Sequence, residues 1–234
     1  MGRSPPDSVV ASAGEADAGS LNALLTRGSL DLGLSLSPAQ VNQLVGYIDL
    51  LQRWNGVHSL TSVREANQSL QLHVLDSLAA ISPLRRHAAG RDLRVLDVGT
   101  GPGLPAVVLA IMQPTWLVTA VDAVAKKIAF VREVAGQLAV ANLAPVHARA
   151  ESLRGDRRFD VAISRAFGSL RAFVSLTRHA LCEGGVWVAM KGRRPDDELA
   201  QVPRDFQVFH VEPLQVAGMQ AQRCLVWMRV ASDT

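Results

Sequence analysis

The stretch Val95-Leu96-Asp97-Val98-Gly99-Thr100-Gly101-Pro102-Gly103-Leu104-Pro105 runs from an apolar, β-rich segment into a glycine-rich turn and on into a second apolar run that reaches Met112. Strand, tight turn and helix in that order make a nucleotide-type cofactor loop. Its glycines let the backbone turn sharply and let a ligand lie where a Cβ would otherwise stand. At the end of the next β-rich run stands Asp122, twenty-three residues after Gly99, where an acid can accept hydrogen bonds from ribose hydroxyls. The third glycine separates two cofactors. A dinucleotide fingerprint is GxGxxG, which brings a helix N-terminus onto a pyrophosphate. Here the glycines are Gly99, Gly101 and Gly103, and Leu104 occupies the place of the last one. S-adenosylmethionine has a ribose, an adenine and a methionine tail but no pyrophosphate, so this loop looks like a methyltransferase motif. A glycine pattern this short is a weak signal alone and also fits a structural turn, so the surrounding chain has to decide.

Downstream of the loop, short β-rich runs alternate with helical stretches, the signature of a parallel sheet with crossover helices. Strands are expected at 94–98, 117–121, 145–148, 159–164 and 185–191. Two more, at 206–211 and 224–230, follow each other without a helix and are expected to form an antiparallel hairpin at one edge. Upstream, the pattern is helical. A short helix from Ser20 should stop at Gly28. Ser37-Pro38-Ala39-Gln40 reads as a capping box that opens a helix whose Val41, Leu44, Val45, Ile48, Leu51 and Trp54 recur at helical spacing. Trp54-Asn55 reads as helix-end packing plus an Asn cap. A second amphipathic helix is expected over 66–81, with Leu70, Val74, Leu75, Leu78 and Ile81 buried. His73, Asp76 and Ser77 lie on its opposite face, either at a site mouth or as a polar surface. Residues 1–19 are dominated by Gly, Ala, Ser, Pro, Asp and Glu and are expected to be a disordered leader. That leaves a helical cap over 20–88 and an α/β domain over 89–234.

Composition narrows the class. The chain has 234 residues, 48% hydrophobic and 19% charged, with a formal charge of +3, which excludes collagen, coiled coil and wholesale disorder. No apolar run approaches a membrane span and no secretory signal is evident, so a cytoplasmic location is expected. Cys182 and Cys224 stand apart from any metal-ligand spacing, so neither a metal site nor a disulfide framework is expected. The small basic excess is uneven. From Arg149 to Arg194 ten Lys/Arg face four acids, a local surplus suited to a polyanion or to an ordinary solvated face.

Several separate pieces carry a resemblance that covers nearly everything from Leu34 onward. They are Leu50-Leu51-x-x-Trp54-Asn55, Leu60-Thr61-Ser62-Val63-Arg64, His73-x-x-Asp76-Ser77, the loop from Asp97 to Pro105, Asp122 with Lys126-Lys127, Arg149-Ala150-Glu151, Ser164-Arg165-Ala166 and Lys191-Gly192. In order and spacing they resemble the bacterial 16S rRNA (guanine-N7) methyltransferase G family, also called glucose-inhibited division protein B. The resemblance implies an α/β class I S-adenosylmethionine-dependent methyltransferase. Its Rossmann-like, mostly parallel seven-stranded sheet would have the order 3-2-1-4-5-7-6, with a small N-terminal helical cap. It implies methyl transfer to N7 of one guanosine, position 527 of the usual rRNA count, with 16S rRNA, the 30S subunit or its precursor as partner. Gly99 and Leu104, the pair Ala150-Glu151 and Arg165 carry over as cofactor positions. Gly101, Gly103 and Asp122 join them from the loop and ribose arguments. His73, Lys191, Arg193 and Arg194 are the expected RNA-side residues, and a monomer is expected. The pattern departs at Leu72, where Arg is common, at Ser59, where Asn is usual, and at Ala106, which replaces a common Gly.

The chemistry agrees with what the sequence lacks. Guanine N7 has a free lone pair, so methylation requires alignment of donor and acceptor rather than proton removal. Ser164-Arg165-Ala166-Phe167 stands where amino-group methyltransferases carry Asn/Asp-Pro-Pro-aromatic, and neither cysteine lies near enough for covalent pyrimidine chemistry. No catalytic base or nucleophile is therefore expected. Arg165 can grip the cofactor carboxylate, orient guanine O6, or merely pair with Glu151 or Asp160. Phe167 and Phe173 suit core packing better than base stacking. The rivals are a small-molecule methyltransferase of the same fold, a nicotinamide-dependent dehydrogenase (opposed by Leu104), and a non-catalytic RNA-binding ribosome-assembly protein.

Overall fold

The computed structural model describes residues 13–153, 159–165, 167–216 and 221–231, with side chains from residue 20 onward. The expected disorder of residues 1–12 lies outside that range. In chain order the helical part comprises α1 (Ala13–Asp31), α2 (Pro38–His58), α3 (Ala66–Ser69), a π-helical turn (Leu70–Leu75), α4 (Asp76–Leu78) and α5 (Ile81–Ala88). The α/β part follows as β1 (Arg94–Val98), α6 (Ala106–Met112), β2 (Leu117–Asp122), α7 (Ala125–Gln137), β3 (Leu143–His147), β4 (Phe159–Arg165), α8 (Leu170–Thr177), β5 (Leu181–Lys191), α9 (Asp196–Leu199), β6 (Phe206–Leu214) and β7 (Arg223–Val230). All seven strands join one sheet in the order β3-β2-β1-β4-β5-β7-β6. The first five are parallel; β7 runs antiparallel between β5 and the edge strand β6.

Alternation along the strands sends side chains into two cores. Val95, Val118, Val161, Ile163 and Val188 enter one cluster, which continues without a break through α6 and α7 into Leu21 and Leu25 of α1, Leu44 and Ile48 of α2, and Leu70, Val74 and Leu78. Leu96, Val98, Val121, Ala162, Trp187 and Met228 enter the other, under Leu170, Phe173 and Val174 of α8. The helical segment thus shares its core with one face of the sheet.

Three local expectations are corrected. Helix α1 begins at Ala13, inside the stretch read as leader, and passes through Gly28 to Asp31. Gly28 does not stop the helix; a Cβ there would lie 2.7 Å from Leu75 Cδ1, so the glycine lets two segments touch. The single helix expected over 66–81 is interrupted by the π-helical turn, resumes as the short α4 and breaks again at Ala79-Ala80 before α5 starts at Ile81, with Pro83 in its first turn, where a missing N–H costs nothing. The expected stripe is buried, and so are His73, Asp76 and Ser77 on the other side. Asn55 does not cap α2. Its buried side chain donates to Val63 O and accepts from Thr61 N, pinning the loop that follows, while Ser59 closes the helix at φ 47°.

The capping box is formed as read, by Ser37 and Gln40 with Pro38 inside the start. From the middle of α2 the fully buried Tyr47 donates its hydroxyl to Pro102 O at 3.0 Å, so the cap holds the glycine loop directly. Burial pushes the Tyr47 hydroxyl pKa up, which keeps it a donor. Tyr47→Phe leaves a buried carbonyl without that partner and is expected to cost about 1–3 kcal/mol of stability. Thermal unfolding of the variant beside wild type checks it.

Candidate active site

The loop after β1 is fixed by backbone groups and by two buried carboxylates. Gly99 N and Thr100 N both donate to Val121 O, at 2.9 and 3.0 Å, which sets the turn against β2. Asp97 Oδ2 accepts from Thr100 Oγ1 at 2.5 Å and from Ala106 N at 3.1 Å, bridging strand end and helix start. Asp122 Oδ2 accepts from Gly101 N at 2.9 Å, its Oδ1 accepts from Val124 N at 2.8 Å, and Lys127 Nζ lies 3.5 Å away. The acid expected to meet ribose hydroxyls is thus a buried fastener of the loop, and it lies outside the lining of the cavity above that loop.

The glycines have unlike reasons. Gly103, at φ +92°, has no room, since a Cβ would stand 2.6 Å from Val107 Cγ2 and 3.1 Å from Val131 Cγ2. Gly101, at φ +59°, faces open space and lines the cavity. One residue lets α6 and α7 close beneath the loop; the other leaves space for a ligand above it.

That space is a cavity of about 570 Å³ between the loop and the carboxyl edge of the sheet. Gly99, Gly101, Leu104, Arg165, His73 and Lys191 line it, as does Asp76, one of the residues read as bordering a site mouth, together with Thr100, Pro102, Lys127 and Arg223, to which the sequence reading gave no site role. Gly103 lies beneath. Ala150 and Glu151 sit in the turn after β3 outside the lining, Ala150 buried and the exposed Glu151 carboxylate 3.8 Å from Arg149. Arg193 and Arg194 border a neighbouring cavity of about 590 Å³, where Arg194 pairs with Asp196 at 2.7 Å.

Arg165 pairs with neither Glu151 nor Asp160. Its Nη1 donates to Leu72 O at 2.9 Å and lies 3.4 Å from both His73 Nδ1 and Asp76 Oδ2. Asp76 also accepts from Arg223 Nε at 2.7 Å. His73 Nδ1 thus faces the Arg165 guanidinium, and its Nε2 lies 3.0 Å from Thr61 Oγ1, so both ring nitrogens have protein neighbours. Burial, helped by the Arg165 charge, holds the His73 pKa down at about 4, so the ring is neutral at pH 7. Lys191 is braced: its Nζ lies 2.8 and 2.9 Å from the Glu198 oxygens and 3.2 Å from Gly168 O. Phe167 and Phe173 pack with ring centres 5.8 Å apart and planes tilted by 55°, both in or against the α8-side core, as packing required.

The strand order, the glycine loop at the end of β1 and the acid at the end of β2 define the class I methyltransferase fold. Solved structures agree at the level of fold. A glycopeptide N-methyltransferase, MtfA, complexed with S-adenosyl-L-methionine superposes with a TM-score of 0.56 at 14% identity, over 68% of this chain and 95% of that one. A Burkholderia thailandensis 1,6-didemethyltoxoflavin-N1-methyltransferase matches with a TM-score of 0.54 at 18% identity, over 85% of this chain and 93% of that one. The model of the family rRNA small subunit methyltransferase G matches residues 40–226. Among curated relatives, the ribosomal RNA small subunit methyltransferase G of Acidovorax ebreus (strain TPSY) is 50% identical over 218 residues, 90% of this chain and 96% of that protein. That of Methylibium petroleiphilum is 48% identical over 212 residues, 91% and 96%. The chain belongs to the rRNA small subunit methyltransferase G family.

The loop's buried acid has a measurable signature. Burial pushes the Asp97 pKa from 3.8 up to about 7, against the pull of its hydrogen bonds, and Oδ1 has no hydrogen-bond partner. A pKa higher in the folded state means that Asp97 favours the fold fully below about pH 4 and loses that contribution as pH rises through 7. His73 has the opposite sign: its depressed pKa costs stability as pH falls from 6.5 towards about 4. In Asp97→Asn the amide oxygen still accepts from Thr100 and Ala106, so the loss of stability with rising pH should vanish while the His73 slope persists. Melting points across about pH 4–8, variant beside wild type, test this.

Proposed function

We propose that this protein transfers the methyl group of S-adenosylmethionine to N7 of guanosine 527 of 16S rRNA, within the small subunit or its precursor, acting as a cytoplasmic monomer. The observation that carries the reading is the cavity itself. One wall is a glycine loop with room for a ligand over Gly101; around the space stand Lys127, paired with Asp122, Lys191, paired with Glu198, and Arg165 and Arg223, which share Asp76 and leave a surplus positive charge. Such a surplus suits an anionic partner. His73 is buried and both its ring nitrogens are engaged, Nδ1 by Arg165 and Nε2 by Thr61, so it is not poised as a general base. That composition suits an acceptor that arrives with its lone pair free, as N7 does, and is a poor match for amines that must lose a proton.

The residues present fit the cofactor. Gly101 and Leu104 give its body a surface, Asp122 stands at the strand end where the ribose is expected, and Arg165 offers N–H groups to a carboxylate. When bound, the cofactor supplies an electrophilic sulfonium methyl. The chain's part is to hold the acceptor in line and to exclude water. Ala150 and Glu151 are assigned to the adenine end. Arg193 and Arg194, exposed beside the cavity, are assigned with His73 and Lys191 to the RNA side, where phosphate contacts position the strand. Membership of the rRNA small subunit methyltransferase G family supports small-subunit rRNA as the substrate class.

Two experiments test the reading. Labelled methyl transfer to 30S particles lacking the modification, followed by borohydride–aniline cleavage and primer extension, should give a single stop at the expected guanosine. Cofactor binding without incorporation into 30S particles, 16S rRNA or precursors would sink it in favour of a small-molecule acceptor or a non-catalytic role. Arg165→Ala should raise the cofactor dissociation constant about tenfold or more. Calorimetry with S-adenosylhomocysteine reads it, and unchanged affinity with lost turnover would move Arg165 to the guanine.

A further inference from the structure

Asp76 is given no role in the reaction by the reading above, yet three distant segments meet on it. It follows the π-helical turn, a feature frequent at functional sites, and its side chain is 6% exposed. Oδ1 accepts from Arg223 Nε at 2.7 Å and Oδ2 faces Arg165 Nη1 at 3.4 Å. Arg165 ends β4, and Arg223 begins the antiparallel β7, so both reach the same edge of the sheet. Along that edge the glycine loop of β1, Arg165 of β4, Lys191 of β5 and Arg223 of β7 stand in the order of the strands. At about 4.8 Å per strand, the start of β7 lies roughly 14 Å from the loop's strand, and from there the Arg223 side chain reaches back to Asp76 beside Arg165. Arg165 is the near arm and Arg223 the far one.

The charges are not distributed evenly. Lys127 has Asp122 and Lys191 has Glu198 as separate counter-ions. Arg165 and Arg223 share the one Asp76 carboxylate, which leaves the pair with a surplus positive charge facing the cavity. A carboxylate buried between two guanidiniums fixes both, because losing either contact would strand a desolvated charge. Arg165 is also held by Leu72 O and Arg223 by Gln222 O, each at 2.9 Å, so Asp76 is the contact that the two guanidiniums share.

We propose that Asp76 is a positioning residue for methyl transfer: it sets Arg223 at the acceptor end of the cavity, where Arg223 receives a phosphate of the RNA strand beside the target nucleotide. This rests on the proposed rRNA methylation. The helical segment then supplies the acid that aims the far arm, and the sheet supplies the arm.

The test uses the full chain with Asp76→Asn, Asp76→Glu, Arg223→Lys and Arg223→Gln. Four readouts are compared: melting, S-adenosylhomocysteine affinity, salt-dependent binding of a 16S rRNA fragment by anisotropy, and kcat and KM on unmodified 30S particles. For Asp76→Asn, kcat should fall about 100-fold, the loss a misplacement of about 1 Å brings, while cofactor affinity changes less than about threefold and Asp76→Glu recovers part of the rate. Arg223→Gln should lower the slope of log K against log salt by about 0.7–0.9, one phosphate contact. Wild-type kcat in Asp76→Asn overturns the proposal. So does a cofactor loss as large as the rate loss, which would give the pair to the cofactor carboxylate, or a rate loss that tracks unfolding and is not recovered by Glu. Should Asp76→Asn fail to fold, Arg223→Lys carries the same comparison, keeping the charge but losing the Nε contact. RNA binding is read without turnover, so inert wild-type protein would refute the methylation reading while the salt slope still decides the role of Arg223.

Discussion

Two buried carboxylates at adjacent strand ends hold the rest of the site in place. Asp97 takes N–H and O–H groups from the first and last parts of the glycine loop, and Asp122 takes the N–H of Gly101 at its middle. A loop of this kind has a run of backbone donors and little side-chain mass to bury, so without those acceptors it has no single shape. Parallel strands make the arrangement possible because β1 and β2 deliver both acids to the same edge. The cost is a desolvated acid, visible in the high Asp97 pKa. Burial of a charge and definition of a ligand surface are one compromise here.

The helical segment is tied to the same loop. Tyr47 reaches Pro102, the π-helical turn brings His73 and Asp76 to the cavity, and Lys126 Nζ donates to His58 O at the end of α2. A core that runs unbroken from α1 to the sheet face means these contacts are held by packing on both sides. Ligand occupancy at the glycine loop and stability of the helical segment are therefore linked quantities.

Much of this was legible in the sequence because it is local. The strand–turn–helix around Gly99 to Gly103 and the capping box at Ser37 are set by neighbours a few residues apart, and the seven strands announce themselves by apolar runs between helical ones. The strand order came from resemblance rather than from any residue pattern. What was missed depends on tertiary meeting points. Asp76 and Arg223 are 147 residues apart, and nothing beside either predicts the other. Asn55 looks like a helix cap because the sequence cannot show the loop it holds. The burial of His73 and Asp76 follows from a π-helical turn that shifts the face on which they fall, and from a sheet edge that covers a side an isolated amphipathic helix would leave wet. Lys191 reads as a free phosphate contact until Glu198, seven residues on, folds back onto it.

The insertion of β7 between β5 and β6 bears on how the protein is made. During synthesis β6 emerges before β7, the strand it pairs with among the described residues, and β5 keeps one open edge until Arg223–Val230 has left the ribosome. Unpaired strand edges are the part of a nascent chain most prone to wrong partners. The same last strand carries Arg223 to the cavity, so the pocket stays without one of its walls until the sheet is complete. Finishing the fold and finishing the site are a single late event in the life of each new chain.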